Sequence, residues 1–198
     1  MPRRLISFIP GVYYHLYNRG VNRKKIFFED RNYQFFLFNV ERYIFPLADL
    51  IAYCLMPNHY HLLIYIRETS EVTSEVQPTS EVTSEVSRAM MRLSVSYTKT
   101  INLRYNRVGP LFQGAFQAKY VESDLYLSHL IGYIHLNPVT SELVEDPEDW
   151  FYSSFRDYLD LDPQEIIHRN SFENLGGNLG GPTYLGGYLR GLPKQKIL

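Results

Sequence analysis

ADLIAYCLMPNHYHLLIYI, residues 48–66, is the stretch that decides the fold. Two apolar, β-branched and aromatic runs, 48–55 and 59–66, flank Met56-Pro57-Asn58. Such runs read as buried strands, and the Pro-Asn pair reads as the turn of a tight antiparallel hairpin. Side chains alternate faces along a strand, so His59 and His61 share one face and Tyr60 takes the other. Two imidazoles two residues apart on one face can grip a single divalent cation, and the turn places them near a sheet end.

Working outward, GVYYHLYN (11–18) reads as a first strand. A helix follows from Asp30, its expected N-cap, to Phe45, with Phe35, Phe36, Phe38, Val40, Tyr43 and Ile44 along it and Pro46 ending it. After the hairpin, residues 69–86 spell four copies of TSEV around Gln77-Pro78. This acidic segment lacks large apolar residues and reads as a flexible, exposed insertion, with a weak hairpin around Gln77-Pro78 permitted. Ser87 is the expected N-cap of a long helix to about Tyr105. Its apolar positions are Met90, Met91, Leu93, Val95, Tyr97 and Ile101, and its cations are Arg88, Arg92, Lys99 and Arg104. A Gly-Pro loop leads to a short strand near Ala118–Val121. A third helix runs from Ser123 or Asp124 to Asn137, where Pro138 is expected to stop it. A short helix around Trp150–Tyr158 and a Gly-rich tail complete the chain.

The order strand, helix, strand, strand, helix, strand, helix predicts an α+β fold, a ferredoxin-like split βαβ antiparallel sheet with helices packed mainly on one face. The expected organisation is one domain over residues 1–160, with 67–86 as an insertion and 161–198 as an irregular tail. No apolar run approaches membrane-spanning length and MPRRLISFIPG has no signal-peptide core, so a cytoplasmic protein is expected. Cys54, the single cysteine, reads as a buried inert thiol.

The net charge is −1, but the charge is segregated. Residues 1–45 carry eight Lys/Arg against three acids, and residues 87–120 carry six and no acid. A basic face for phosphates is compatible with that pattern, as are ordinary solvated helix faces. Seventeen tyrosines and twelve phenylalanines supply core and, in part, surfaces on which unpaired bases could stack.

On the third helix, Tyr133 and Asn137 are four residues apart and share a face, with His129 one turn earlier. A tyrosine and an amide presented together toward a metal suggest a phenolate nucleophile beside a metal ligand. Core packing is the competing role for any one of the seventeen tyrosines, Tyr120 and Tyr126 being the nearest rivals. His129 and His135 read as surface or packing residues, and Trp150 as an anchor for the last helix.

YHLYNRG (14–20), MPNHYHLLI (56–64), RVGPLFQG (107–114), YIHLNPV (133–139) and WFYSSFRDYL (150–159) together resemble the HUH single-tyrosine transposases, in particular the REP-associated tyrosine transposases. The resemblance implies that His59 and His61 hold Mg²⁺ or Mn²⁺, that Tyr133 is the nucleophile, and that Asn137 stands where relatives place an amide third ligand. It implies nicking and rejoining of single-stranded DNA, at hairpins or palindromes, through a 5′-phosphotyrosine. Candidate phosphate contacts are Arg19, Arg23, Lys24, Lys25, Arg88, Arg92, Arg104, Arg107 and Lys119. Two departures stand out: the TSEV insertion, and Ala115 and Gln117 where relatives tend to be basic. The alternatives are a domesticated hairpin-binding regulator with little cleavage, a phosphodiesterase that uses water in place of Tyr133, and a purely structural module. Both monomer and homodimer are compatible with these segments.

Overall fold

The computed structural model describes residues 7–68 and 80–159. The elements are β1 (Tyr13–Arg19), α1 (Asp30–Tyr43), β2 (Ala48–Met56), β3 (His59–Ile66), α2 (Ser80–Arg104), β4 (Gln117–Tyr120), α3 (Asp124–Thr140) and α4 (Phe155–Tyr158). Short 3₁₀ turns lie at Val21–Arg23 and Pro147–Asp149. The four strands form one antiparallel sheet in the order β2-β3-β1-β4. This is the expected α+β split βαβ arrangement. Among the described residues no helix is long and apolar enough to cross a membrane.

The alternation read from the hairpin holds. Tyr60 is fully buried, its ring 4.8 Å from Phe36 of α1 and 5.9 Å from Phe112. Tyr97 of α2 closes the same cluster, 5.1 Å from Phe36, and donates its hydroxyl to the Ile26 carbonyl at 2.8 Å. So α1 and α2 cover the Tyr60 face, and α3 lies on the His59/His61 face. Across that second face the register pairs Tyr17 with His61, Arg19 with His59, Tyr17 with Gln117 and His15 with Lys119.

β2 is buried along its whole length, and its outer edge is sealed by the segment after α3. Leu55 N–H donates to the Tyr152 carbonyl (2.8 Å), Ser154 N–H to the Tyr53 carbonyl (3.1 Å), and Tyr53 N–H to Ser154 Oγ (2.9 Å). Trp150 Nε1–H caps the Leu55 carbonyl at 3.1 Å and Tyr158 Oη–H the Ile51 carbonyl at 2.7 Å. An unpaired edge would cost buried backbone groups and invite pairing with another chain, and these five bonds remove it. Trp150 thus anchors the segment as expected. The expected single helix over 150–158 is instead an edge-pairing stretch followed by the one-turn α4, because residues 152–154 spend their backbone groups on β2. Cys54 is buried and in no disulfide, and burial pushes its thiol pKa up.

Several element boundaries differ from expectation. Glu29, not Asp30, caps α1: it forms a capping box with Asn32, whose Oδ1 accepts from Phe28 N–H (2.8 Å) and Glu29 N–H (3.2 Å). That frees Asp30 to accept the Tyr152 hydroxyl at 2.5 Å. α1 ends at Tyr43 instead of Phe45, since the residue before Pro46 is disfavoured in the helical region. α2 starts at Ser80 instead of Ser87, so residues 80–86 of the TSEV repeats are helical and not a flexible insertion. Val86 is 1% exposed and extends the buried stripe of Ala89, Met90, Leu93, Tyr97 and Ile101 back by one turn. The remaining repeats, the hairpin around Gln77-Pro78 and the tail beyond 159 lie outside the described residues. α3 does not stop at Asn137. Pro138 sits inside its last turn, and the helix continues to Thr140. Proline deletes one bond there, while Ser141 N–H still reaches the Asn137 carbonyl at 3.0 Å.

Gly20 ends β1 where no side chain fits, because a Cβ would lie 2.0 Å from the Lys24 carbonyl oxygen. Its N–H donates to the Asn58 carbonyl at 2.8 Å and ties the 21–25 turn to the β2–β3 hairpin.

His135 of α3 is fully buried, and its Nε2 bonds Ser154 Oγ at 2.8 Å. Ser154→Ala would therefore strip partners from His135 and from the Tyr53 N–H together. The expected loss is about 1–3 kcal/mol of unfolding free energy in urea titrations. Burial also lowers the His135 pKa to about 3. A histidine with a depressed folded pKa contributes stability that is present above its unfolded value of ~6.5 and lost as pH falls toward 3. In chelator-containing buffer, stability should fall between pH 6.5 and 4.5 by up to about 1.4 kcal/mol per pH unit from this group. His135→Gln should show a slope shallower by about one proton.

Candidate functional site

The face of the sheet away from α1 and α2 carries a cavity of about 520 Å³. His59, His61, Tyr17, Arg19, Arg23 and Tyr133 are among its walls. The sheet supplies the histidines through β3, the residues opposite them through β1, and α3 lays Tyr133 and Asn137 across the top. Ser123 starts α3 by accepting the Tyr126 N–H at 3.3 Å, and the helical spacing then places Tyr133 one turn before Asn137.

Asn137 is 6% exposed and stands between the two imidazoles. Its Oδ1 is 3.3 Å from His59 Nε2 and its Nδ2 is 3.3 Å from His61 Nε2. The far nitrogens are engaged as well. His59 Nδ1 is 2.6 Å from Asn58 Oδ1, and His61 Nδ1 is 2.8 Å from His15 Nε2. Tyr133, 38% exposed, meets His61 edge-to-face with ring centres 5.5 Å apart.

The hydrogen-bonding roles constrain this set. Asn58 Nδ2 donates to the Arg23 carbonyl (3.3 Å), so Asn58 turns its oxygen to His59, and His59 must carry its proton on Nδ1. The His59 Nε2 lone pair then faces the Asn137 amide. If His61 likewise donates from Nδ1 to His15, both Nε2 lone pairs face one amide. Whichever way that amide turns, one imidazole meets its oxygen, leaving two acceptors about 3.3 Å apart with nothing between them. With His61 in that tautomer, a cation could sit between them. Metal–ligand bonds of ~2.1 Å at right angles put neighbouring donors ~3.0 Å apart, close to the separations observed.

The electrostatics favour neutral, ligating imidazoles. Burial lowers the His59 pKa, against the bond to Asn137 that raises it, and Arg19 lowers it further. Burial, then the neighbouring His15 and His59, holds His61 well below the ordinary histidine value. Among the described residues no cluster of three or more His, Cys, Asp or Glu side chains could hold a metal ion. An amide side chain that meets both imidazoles is that of Asn137, and it could serve as a third donor.

The structure thus brings His59, His61, Asn137 and Tyr133 together as expected. Arg19 and Arg23 reach the same cavity, Arg19 with its Nε 2.6 Å from Gln113 Oε1. Lys24 and Lys25 are exposed in the adjoining turn, and Lys119 is exposed on β4 opposite His15. Arg107 lies over the Phe28 ring, 5.7 Å from its centre. The other cations are elsewhere. Arg104 pairs with Glu29 (2.6 Å), and Arg88 and Arg92 line a separate cavity with Arg42 between α1 and α2, on the opposite face. Ala115 and Gln117, the two departures from the basic pattern, both line the site cavity. His129 is exposed on α3 and His135 serves packing. His15 and Tyr17 are the members that sequence reading passed over. The period-two alternation of YHLYNR puts them on one face, but only the β1–β3 register shows that this face is the site.

With this geometry in view, comparison with known proteins is specific. Residues 9–137 match the sequence profile of the family described as "Transposase IS200 like", and the chain belongs to that family. A Haemophilus influenzae protein carrying the provisional name of REP-associated tyrosine transposase is 28% identical over 107 residues. That match spans 54% of this chain and 58% of the relative, so less than two thirds of the relative's length. A solved REP-associated tyrosine transposase, determined bound to a REP hairpin, shares the fold with a TM-score of 0.62 at 16% identity. It covers 85% of this chain and 91% of that one.

If Asn137 serves as a third donor beside His59 and His61, Asn137→Ala should weaken Mn²⁺ binding, measured by calorimetry, about 10–100-fold. Tyr133→Phe should leave that affinity within about twofold, because the ring contact with His61 survives the loss of the hydroxyl.

Proposed function

We propose that this chain nicks and rejoins single-stranded DNA through Tyr133, with Mg²⁺ or Mn²⁺ held by His59, His61 and Asn137. The observation that carries the reading is the meeting of two Nε2 atoms with one buried amide, beside a half-exposed tyrosine ring that shares an open cavity with both histidines. When bound, the cation would offset charge on the non-bridging oxygens of the scissile phosphate.

The residues of the chain supply the rest. The Tyr133 oxygen attacks phosphorus in line. A bond from Oη to phosphorus forms, the bond from phosphorus to the 3′ oxygen breaks, and a 5′-phosphotyrosine and a free 3′-OH result. The phenol gives up one proton and the 3′ oxygen gains one, and the open cavity lets both exchange with water. The ester conserves the energy of the broken bond, so a second 3′-OH can reverse the step without a nucleotide cofactor. Arg19 and Arg23 on the cavity wall, with the exposed Lys24, Lys25 and Lys119 near it, would hold the backbone.

The REP hairpin in the solved relative supports a hairpin as the DNA partner. Recognition would then combine backbone contacts to the stem with stacking of unpaired bases on exposed aromatic rings. A second reading, a hairpin-binding regulator with little cleavage, is favoured by the neutral Ala115 and Gln117 in the cavity wall.

Incubation with Mn²⁺ and a labelled hairpin carrying single-stranded flanks should yield a denaturation-resistant protein–DNA adduct that Tyr133→Phe abolishes. An adduct that persists in Tyr133→Phe would refute the nucleophile. Cleavage without any adduct would move the reaction to water, and tight binding with no cleavage would select the regulator.

A further inference from the structure

His15 lies behind the proposed centre, 6% exposed, and no step above uses it. Its ring stacks at 23° against His61, with Nε2 2.8 Å from His61 Nδ1. One proton can occupy that contact, and its position decides which nitrogen of His61 is a donor. We infer that His15 is the positioning residue for His61, and that the His15–His61 hydrogen bond reverses direction when a cation binds. This inference rests on the metal reading proposed above.

His59 carries its proton on Nδ1 whatever else happens, because Asn58 presents an oxygen to it. Without a cation, one arrangement satisfies every other group. His15 Nε2–H donates to His61 Nδ1, and the Asn137 amide, turned over from the placement given above, accepts from His61 Nε2–H through its oxygen and donates to His59 Nε2 through its nitrogen. With a cation, both Nε2 atoms must offer lone pairs. His61 then needs its proton on Nδ1, and His15 must accept it. The proton on His15 Nε2 crosses the 2.8 Å contact to His61 Nδ1. His61 releases its Nε2 proton to water, and His15 takes one from water at Nδ1. The count of bound protons is unchanged, and both rings stay neutral throughout. Ligating histidines gain orientation and basicity from such a partner, and losing it typically weakens metal binding 10–100-fold.

The test is nitrogen-resolved NMR of ¹⁵N-histidine-labelled protein, with and without Mg²⁺, alongside calorimetry with Mg²⁺ and Mn²⁺. The expected result is His61 as the Nε2–H form without metal and the Nδ1–H form with saturating Mg²⁺, while His59 stays Nδ1–H in both. His15→Leu should lower Mn²⁺ affinity about 10–100-fold. His15→Gln should recover most of it, since a side-chain amide can either donate or accept. His61 in one tautomer under both conditions, with Mg²⁺ bound by calorimetry, would overturn the reversal and leave the metal reading standing. So would His15→Gln losing as much affinity as His15→Leu, or neither variant losing any. Wild-type protein that binds neither metal would bring down the metal reading and this inference together.

Discussion

Tyr60 is the residue on which the arrangement turns. Its ring is packed among Phe36 and Phe112 with no exposed surface, and β3 is paired on both sides. A slip of β3 by one residue would drive Tyr60 into the site cavity and an imidazole into the apolar layer. Burying an aromatic ring of this size contributes on the order of 2–3 kcal/mol, and burying an imidazole without partners costs a comparable amount. The pairing register is therefore held by the core, and the two histidines inherit their direction from it. The geometry of the site is in this sense a by-product of packing on the other side of the sheet.

The same logic extends outward from β3. β1 is held between β3 and β4, so His15, Tyr17 and Arg19 fall into rows beside the histidines. β2 is fixed from its far edge by residues 150–158, which bring Ser154 against His135 of α3. That contact ties the middle of the tyrosine-bearing helix to the sheet through a buried hydroxyl. Tyr133 and Asn137, two residues either side of His135, are placed by it. A rigid platform under a half-exposed ring is what a positioned nucleophile requires, since small misplacements of reacting atoms are costly.

What was legible in the sequence follows from which signals are local. Alternation in HYHLLIYI, the Pro-Asn turn and the four-residue spacing of Tyr133 and Asn137 are short-range patterns, and they located the hairpin, the shared faces and the main members of the site. Pairing register is not local. His15 and Tyr17 sit in a strand whose polarity pattern was visible, but their neighbours are set by residues more than forty positions away. The helix ends were misread for a related reason. Asp30 and Ser87 are good caps by residue type, yet Glu29 is committed by its reciprocal bonds with Asn32, and Val86 by the core it enters. Pro138 was read as a stop because its local cost was weighed without the burial of α3 around it.

Charge was the least readable property, and its placement bears on how the site could meet DNA. Sequence density of cations pointed equally to the 19–25 turn and to α2, but the fold sends these to opposite faces of the sheet. Arg19 and Arg23 reach the cavity, while Arg88 and Arg92 join Arg42 behind the core and Arg104 is held by Glu29. Ala115 and Gln117 add no charge where the cavity could have carried two more cations. The site face therefore offers fewer phosphate contacts than the composition of residues 87–120 suggests. Phosphate contacts set the salt dependence of nucleic-acid binding, each worth about 0.7 to 0.9 in the slope of log affinity against log salt. On the function proposed above, a lean basic rim around an aromatic-lined cavity would shift the balance of recognition toward stacking and shape, which would suit an unpaired strand beside a stem better than a long uniform duplex.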